Sequence, residues 1–293
     1  MRLRSLLFVP GDRPDRMQKA LHARADALIL DLEDAVALPA KPAARAEIAS
    51  FLRKAERGPR LFVRVNSLDS GLLDDDLKAV LDARPDALVL PKAEGAESVR
   101  RLAAEAKGIP ILPIATETAA AIFQIGTYRE VAELLTGLTW GAEDLPAAIG
   151  AVTSREDDGR YTPPYEMVRS LTLFGAHAAG VLAIETVYPA FRDLEGLARY
   201  ARTARRDGFT GMMAIHPAQI PVINAAFTPS EEEIAHARAV IAAFAAHPGQ
   251  GVLQLNGRMI DAPHLRQALR LVEMLSDLPD EFAGRGAESP PQR

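Results

Sequence analysis

Eight short apolar, β-branched runs recur along the chain: Ser5–Val9, Ala27–Leu32, Leu61–Val65, Ala87–Leu90, Ile111–Ala115, Leu138–Gly141, Val181–Thr186 and Met212–Ile215. They are continuously apolar rather than alternating, which marks strands buried on both faces, as in a parallel sheet covered by helices. Segments rich in Ala, Leu, Arg and Glu lie between them, among them Arg13–Ala23, Lys41–Ala55, Leu72–Ala83, Ala96–Ala106 and Leu194–Asp207. Eight β/α units in roughly 220 residues come close to the ~250 of a (β/α)8 barrel. The expected fold is therefore α/β, a (β/α)8 TIM barrel over residues 1–227, with a doubly wound open sheet as the competing architecture. The connection between the sixth and seventh strands is long, and its polar stretch Arg155–Pro164 reads either as a lid over the barrel mouth or as an ordinary surface loop.

Beyond the eighth strand, Ser230 followed by Glu233 opens a helix, a Gly-containing loop spans Gly249–Gly257, and a further helix runs from about His264 to Leu275. This is a C-terminal helical appendage, residues 228–283, rather than a second full domain. Residues 284–293 are rich in Pro, Gly and polar types and are expected to be disordered. The net charge of -5 argues against a nucleic-acid binder. With no cysteine in the chain, disulfides, thiolate metal sites and a cysteine nucleophile are excluded. The apolar run Leu6–Val9 is stopped by Pro10, Gly11 and Asp12, too early for a signal peptide, and no stretch approaches the ~20 apolar residues of a membrane span. A cytoplasmic protein without a membrane or nucleic-acid partner is expected.

In a barrel the catalytic groups come from the C-terminal ends of the strands. Ionisable residues cluster where the apolar runs stop: Asp31, Glu33 and Asp34 after the second, Arg64 in the third, Glu117 after the fifth, Glu143 and Asp144 after the sixth. Two carboxylates from different strands facing one pocket repel unless a cation lies between them, and oxygen-only ligation suits Mg2+ or Mn2+. Glu117 and Asp144 are the candidate ligands. Mg2+ commonly takes one or two protein carboxylates and leaves its other positions to water and a chelating substrate. Each carboxylate also has a plainer reading as a cap on the next helix, and spacing alone does not separate Asp144 from Glu143. Arg64 either holds a substrate oxyanion in the barrel mouth or pairs with Asp31 or Glu33. His216, before Pro217, reads as a packed, hydrogen-bonded residue rather than a base.

In order and spacing these segments resemble the citrate lyase β-subunit-like family of CoA-ester lyases, within the HpcH/HpaI aldolase superfamily, which includes malyl-CoA and citramalyl-CoA lyases. The resemblance is carried by Leu7-Phe8-Val9-Pro10-Gly11-Asp12-Arg13-Pro14, by Asp31-Leu32-Glu33-Asp34-Ala35-Val36 followed by Lys41 and Arg45, and by Arg64-Val65-Asn66. Thr116-Glu117-Thr118, Gly141-Ala142-Glu143-Asp144-Leu145, Ile215-His216-Pro217 and Gly257-Arg258-Met259-Ile260-Asp261-Ala262-Pro263 complete it. It implies Mg2+ on Glu117 and Asp144, Arg64 on the substrate, and coenzyme A near Pro10, Arg13, Asp34, Lys41 and Arg45. It also implies that the appendage of one subunit packs on a neighbour, that Asp261 completes the neighbour's site, and that the protein is a homo-oligomer, a trimer or hexamer. The chain departs from many relatives at Met212-Met213, where a lysine before the Ile-His-Pro turn is absent.

The implied activity is Mg2+-dependent cleavage of a 3-hydroxyacyl-CoA, such as (S)-citramalyl-CoA or malyl-CoA, to acetyl-CoA and a 2-keto acid, with Arg64 and Asp261 as catalytic residues. The alternatives within this reading are a citryl-CoA lyase subunit and a malyl-CoA thioesterase. Outside it stand a Mg2+ aldolase acting on free 2-keto acids without CoA, and a binding subunit that holds acyl-CoA for a partner and has no turnover of its own.

Overall fold

A computed structural model describes residues 2–55 and 58–276. Two compact units divide the chain: Leu3–Phe227, and the segment from Thr228 onward together with the first two residues.

The first unit is built on eight parallel strands: β1 Ser5–Pro10, β2 Ala27–Asp31, β3 Arg60–Arg64, β4 Ala87–Leu90, β5 Ile111–Pro113, β6 Gly137–Thr139, β7 Leu182–Glu185 and β8 Gly211–Ala214. Pairing runs β5-β4-β3-β2-β1-β8-β7-β6. The ring closes between β5 and β6, where the Ala115 amide donates to the Thr139 carbonyl and the Thr136 amide to the Ile111 carbonyl, both at 2.9 Å. The sheet is thus a barrel and not an open doubly wound sheet. The helices are α1 Pro14–Ala20, α2 Lys41–Lys54, α3 Leu73–Val80, α4 Ala96–Ala103, α5 Ala119–Ile122, α6 Leu145–Ile149, α7 Pro163–Ala179, α8 Leu194–Asp207 and α9 Ile220–Ala226. Pro163 and Pro164, expected within the insertion, form the first turn of α7, where proline's missing N–H costs nothing.

The strand period of two decides which side chains can become a site. Leu6, Ile29, Phe62, Val89, Leu112 and Ile184 fill the barrel interior, whereas Leu7, Leu28, Leu30, Val63, Leu88, Leu138, Trp140 and Ala183 belong to the layer between sheet and helices. Each fully buried Leu or Ile contributes about 1.5–3 kcal/mol. Extending the alternation by one step puts Asp31 and Arg64 on the interior side, in register with each other across β2 and β3. The same step puts Glu185 on the helix side, with Trp140.

The second unit holds α10 Glu231–Ala246, a two-stranded antiparallel hairpin of β9 Val252–Leu255 and β10 Arg258–Asp261, and α11 Ala262–Ser276. The α10 cap is as read: Ser230 Oγ accepts from the Glu233 amide, and the Glu233 carboxylate from the Ser230 amide. The hairpin corrects the expectation of a purely helical appendage. Asn256 and Gly257, both at positive φ, turn the chain between two strands of alternating exposure, the signature of a tight two-residue turn. Ile260, Val240, Ala237 and Ala268 form this unit's own small core. Residues 277–293, including the tail expected at 284–293, lie outside the described residues. Among the described residues no helix is long and apolar enough to cross a membrane.

Candidate active site

At the C-terminal mouth of the barrel lies a pocket of about 280 Å3, lined among others by Asp31, Asp34, Arg64, Glu117, Glu143 and Asp144 on its polar side and by Phe8, Ile114, Val187 and Met213 on its apolar side.

Asp31 ends β2 and is 1% exposed. Its two oxygens accept from the Glu33 and Ala35 amides at 2.9 and 3.1 Å, which curls the following loop back over the mouth. The same oxygens accept from Arg64 Nε and Nη2 at 2.7 and 2.6 Å, a bidentate pair. Arg64 Nη1 lies 2.8 Å from Glu33, and its guanidinium rests 4.9 Å from the Phe8 ring centre. Although burial alone would lower it, the hydrogen bond and charge of Asp31 and the charges of Glu33 and Glu117 raise the Arg64 pKa, so it is permanently charged. Both readings of Arg64 thus describe one side chain: it is paired with Asp31 and Glu33, and it lines the pocket.

Lys92, directly after Pro91 at the end of β4, escaped the sequence reading. It takes a left-handed backbone conformation, φ 52°, which a non-glycine residue adopts at a cost of order 1–3 kcal/mol. That conformation aims its amide at Glu117 Oε2, 2.6 Å away, while Nζ donates to Glu33 at 2.5 Å and lies 3.8 Å from Asp34 and 3.7 Å from Asp144. The available signal was the one applied to other strands, an ionisable residue where an apolar run stops.

Glu117 and Asp144 face this ammonium from β5 and β6. Neither is a helix cap: Thr118 Oγ1 caps α5, and the Asp144 side chain makes no capping bond to α6. Gly141 lets Glu117 in, since a Cβ there would fall 2.7 Å from Glu117 Cγ. Burial pushes the Glu117 carboxyl up to about 8, and the charges of Asp144 and Glu33 add to the rise, although the Lys92 amide and ammonium oppose it. Such a carboxylate lacks a counter-charge. A divalent cation between Glu117 and Asp144 would supply it, and their oxygens are the hard donors Mg2+ prefers. No three His, Asp or Glu side chains are placed to hold a metal ion among the described residues, so these two would leave the remaining positions to water and substrate.

Of the other anticipated residues, Asp34 and Arg13 are exposed and Pro10 is half-buried at the end of β1. Lys41 and Arg45 lie inside. Lys41 Nζ donates to the Leu32 and Glu33 carbonyls and to Asn66 Oδ1 at 2.6–2.8 Å, and Arg45 Nε donates to buried Asp76 at 2.7 Å. Lys41 braces the loop after β2 and Arg45 the start of α3, through Asp76 and the Leu72 carbonyl, rather than reaching outward. His216 is exposed and caps the turn after β8, its Nδ1 accepting from the Ala218 amide. Met212 and Met213 on β8 are buried. Asp261 belongs to the second unit, where it ends β10 with His264 Nδ1 2.6 Å from its Oδ1.

The profile of the HpcH/HpaI aldolase/citrate lyase family matches residues 4–217. The chain belongs to this family. Within the family it is 38% identical over 276 residues to the citrate lyase subunit beta-like protein of Mycobacterium tuberculosis, covering 94% of this chain and 96% of that one. It is 35% identical to the mitochondrial citramalyl-CoA lyase of Homo sapiens, over 95% of this chain and 87% of that one. The crystal structure of the Mycobacterium tuberculosis protein CitE in complex with magnesium, acetoacetate and coenzyme A is similar at a TM-score of 0.82 and 37% identity, covering 94% of this chain and 99% of that one. The family places its members on the barrel seen here.

Proposed function

We propose that the protein cleaves a 3-hydroxyacyl-CoA bearing a carboxylate on its hydroxyl carbon, such as (S)-citramalyl-CoA or malyl-CoA, to acetyl-CoA and pyruvate or glyoxylate. In its class it is a carbon–carbon lyase of the CoA-ester type. The observation that carries the reading is the pair Glu117 and Asp144, short of positive charge with a single ammonium shared with Glu33, beside the permanently charged Arg64 in one barrel mouth. Glu117 and Asp144 would hold Mg2+, which would supply Lewis-acid polarisation of a bound hydroxy acid. Arg64 would donate to the hydroxyl-derived oxygen, stabilising the alkoxide left when a base or solvent takes the hydroxyl proton; that alkoxide collapses to the keto group as the C–C bond breaks and the electron pair passes to the thioester enolate. Phe8, Ile114, Val187 and Met213 shape the space for the acyl chain and keep water out. The departing acetyl-CoA enolate needs a proton at carbon, and in the reverse direction a base must remove it. Asp261 of a neighbouring copy is proposed for both, in a cytoplasmic homo-oligomer, trimer or hexamer, whose appendages reach across. Pro10, Arg13 and Asp34 are proposed to lie along coenzyme A, with Lys41 fixing the loop that presents Asp34 and Arg45 holding Asp76, which in turn accepts from the Asn66 that Lys41 bonds.

The test is to incubate the purified protein with Mg2+ and a panel of hydroxyacyl-CoA thioesters and identify the products by mass. Acetyl-CoA plus a keto acid, abolished by EDTA, is expected. Free CoA with the intact hydroxy acid would instead identify a thioesterase, like the 36% identical (3S)-malyl-CoA thioesterase of Cereibacter sphaeroides. Cleavage of free keto acids without CoA would identify an aldolase, and no turnover a binding subunit. Asp261→Asn should greatly reduce condensation while Mg2+ affinity is kept; unchanged turnover removes Asp261 from the mechanism.

A further inference from the structure

A second recess, about 580 Å3, lies outside the barrel wall between α7, α8 and the Arg155–Tyr161 loop. It does not share lining residues with the catalytic mouth. In a chain of net charge -5 it gathers five arginines against three acids. How those charges are paired decides what it can hold. Arg160 is paired with Asp158, and Arg206 and Arg169 share Asp207. Glu166, on the rim, is exposed.

Arg155 and Arg199 make no ion pair among the described residues. Arg155 donates only to neutral acceptors, the Gly159 carbonyl and the Tyr161 hydroxyl, with its guanidinium flat over the Tyr161 ring at 4.0 Å. Arg199 makes neither an ion pair nor a hydrogen bond among the described residues, although the Asp193 carboxylate and Tyr188 feel its charge, and it stands on the exposed face of α8. Arg169 is anchored through Nε to Glu185 and through Nη1 to Asp207, which leaves Nη2 buried without an acceptor. A buried donor left unmet costs about 1–3 kcal/mol, so structures keep few of them without a reason. Glu185 in turn is fixed by Trp140 Nε1 at 2.5 Å, so Arg169 cannot turn away.

We infer that this recess is a binding site for a multiply charged oxyanion, a phosphate or phosphate ester, held between Arg155 and Arg199. Guanidinium groups recognise such oxygens in bidentate fashion.

The experiment is isothermal titration of the full-length protein with inorganic pyrophosphate at low ionic strength in EDTA. Saturable one-to-one binding is expected. Arg155→Ala and Arg199→Ala, both at exposed or half-exposed positions, should each weaken it at least tenfold and leave lyase turnover without pyrophosphate unchanged, which also reports that the variants fold. Arg13→Ala and Asp144→Asn, at the barrel mouth, should leave pyrophosphate affinity as it was. The inference is overturned if binding survives both recess substitutions, if the mouth substitutions abolish it, or if millimolar pyrophosphate shows no saturable binding.

Discussion

On the β2–β4 wall of the barrel mouth, every charge has a partner: Asp31 holds Arg64 through two hydrogen bonds, Glu33 lies against both Arg64 and Lys92, and the loop amides close around Asp31. On the β5–β6 wall, Glu117 accepts from the Lys92 amide and Asp144 lies 3.7 Å from the Lys92 ammonium, which is already engaged by Glu33. Both walls draw on Asp and Glu at or shortly after strand ends: Asp31 is the last residue of β2, whereas Glu117 and Asp144 follow β5 and β6 by a few residues. The first is preorganised and holds its cation permanently; the second is left short of positive charge, and so is where an exchangeable cation belongs. A group that must be fixed is paired by the protein, and one that must come and go is not.

The largest effect is expected from emptying the second wall. Asp144→Asn or Glu117→Gln should lower kcat/KM on the order of 10³-fold and abolish calorimetric Mg2+ binding, since metal polarisation is worth several kcal/mol and each 1.4 kcal/mol is tenfold. Retained Mg2+ affinity in both would dissolve the contrast. Next, Arg64→Met breaks the first wall. It leaves buried Asp31 unpaired, and denaturant melts should show a loss of about 3–5 kcal/mol, whereas Asp144→Asn, at a half-exposed position, should cost far less. Equal losses would mean that the walls are not differently preorganised.

Lys92→Met removes the cation standing between the walls. Mg2+ should then bind about tenfold more tightly, because an ammonium no longer opposes it at close range, even as turnover falls with Glu33 released. Weaker Mg2+ binding would show that Lys92 organises the site rather than competing for it. The smallest effect is in protons. Glu117 has a folded-state pKa above its ordinary value, so its protonated form favours the metal-free fold; that contribution is complete below about 4.5 and lost as pH rises through about 8. Mg2+ requires the ionised form, so about one proton should be released per ion near pH 6, and release should fade above about pH 8. Titrations in buffers of different ionisation enthalpy measure this directly.

The barrel was legible because continuous apolar runs and helical periodicity do not depend on distant contacts. Glu117, Asp144 and Arg64 were legible for a related reason, since strand ends in a parallel barrel all open on one mouth. Lys92 sits at just such an end, but its importance comes from a left-handed backbone that turns both amide and ammonium toward the acids, which residue type does not announce. Lys41 and Arg45 look like surface cations at the start of a helix. What buries them is Asn66 and Asp76, more than twenty residues further on, a tertiary arrangement that local pattern does not contain. The hairpin of the second unit was missed although Asn256-Gly257 signals it, because a loop rich in glycine hides strands of four residues.

Gly141 carries a consequence for redesign. Because Glu117 lies where a side chain at 141 would begin, that wall of the mouth cannot be reshaped without displacing a carboxylate. Attempts to admit a bulkier or smaller acyl group should therefore be directed at Val187 and Met213, whose side chains face the same space and hold no charge.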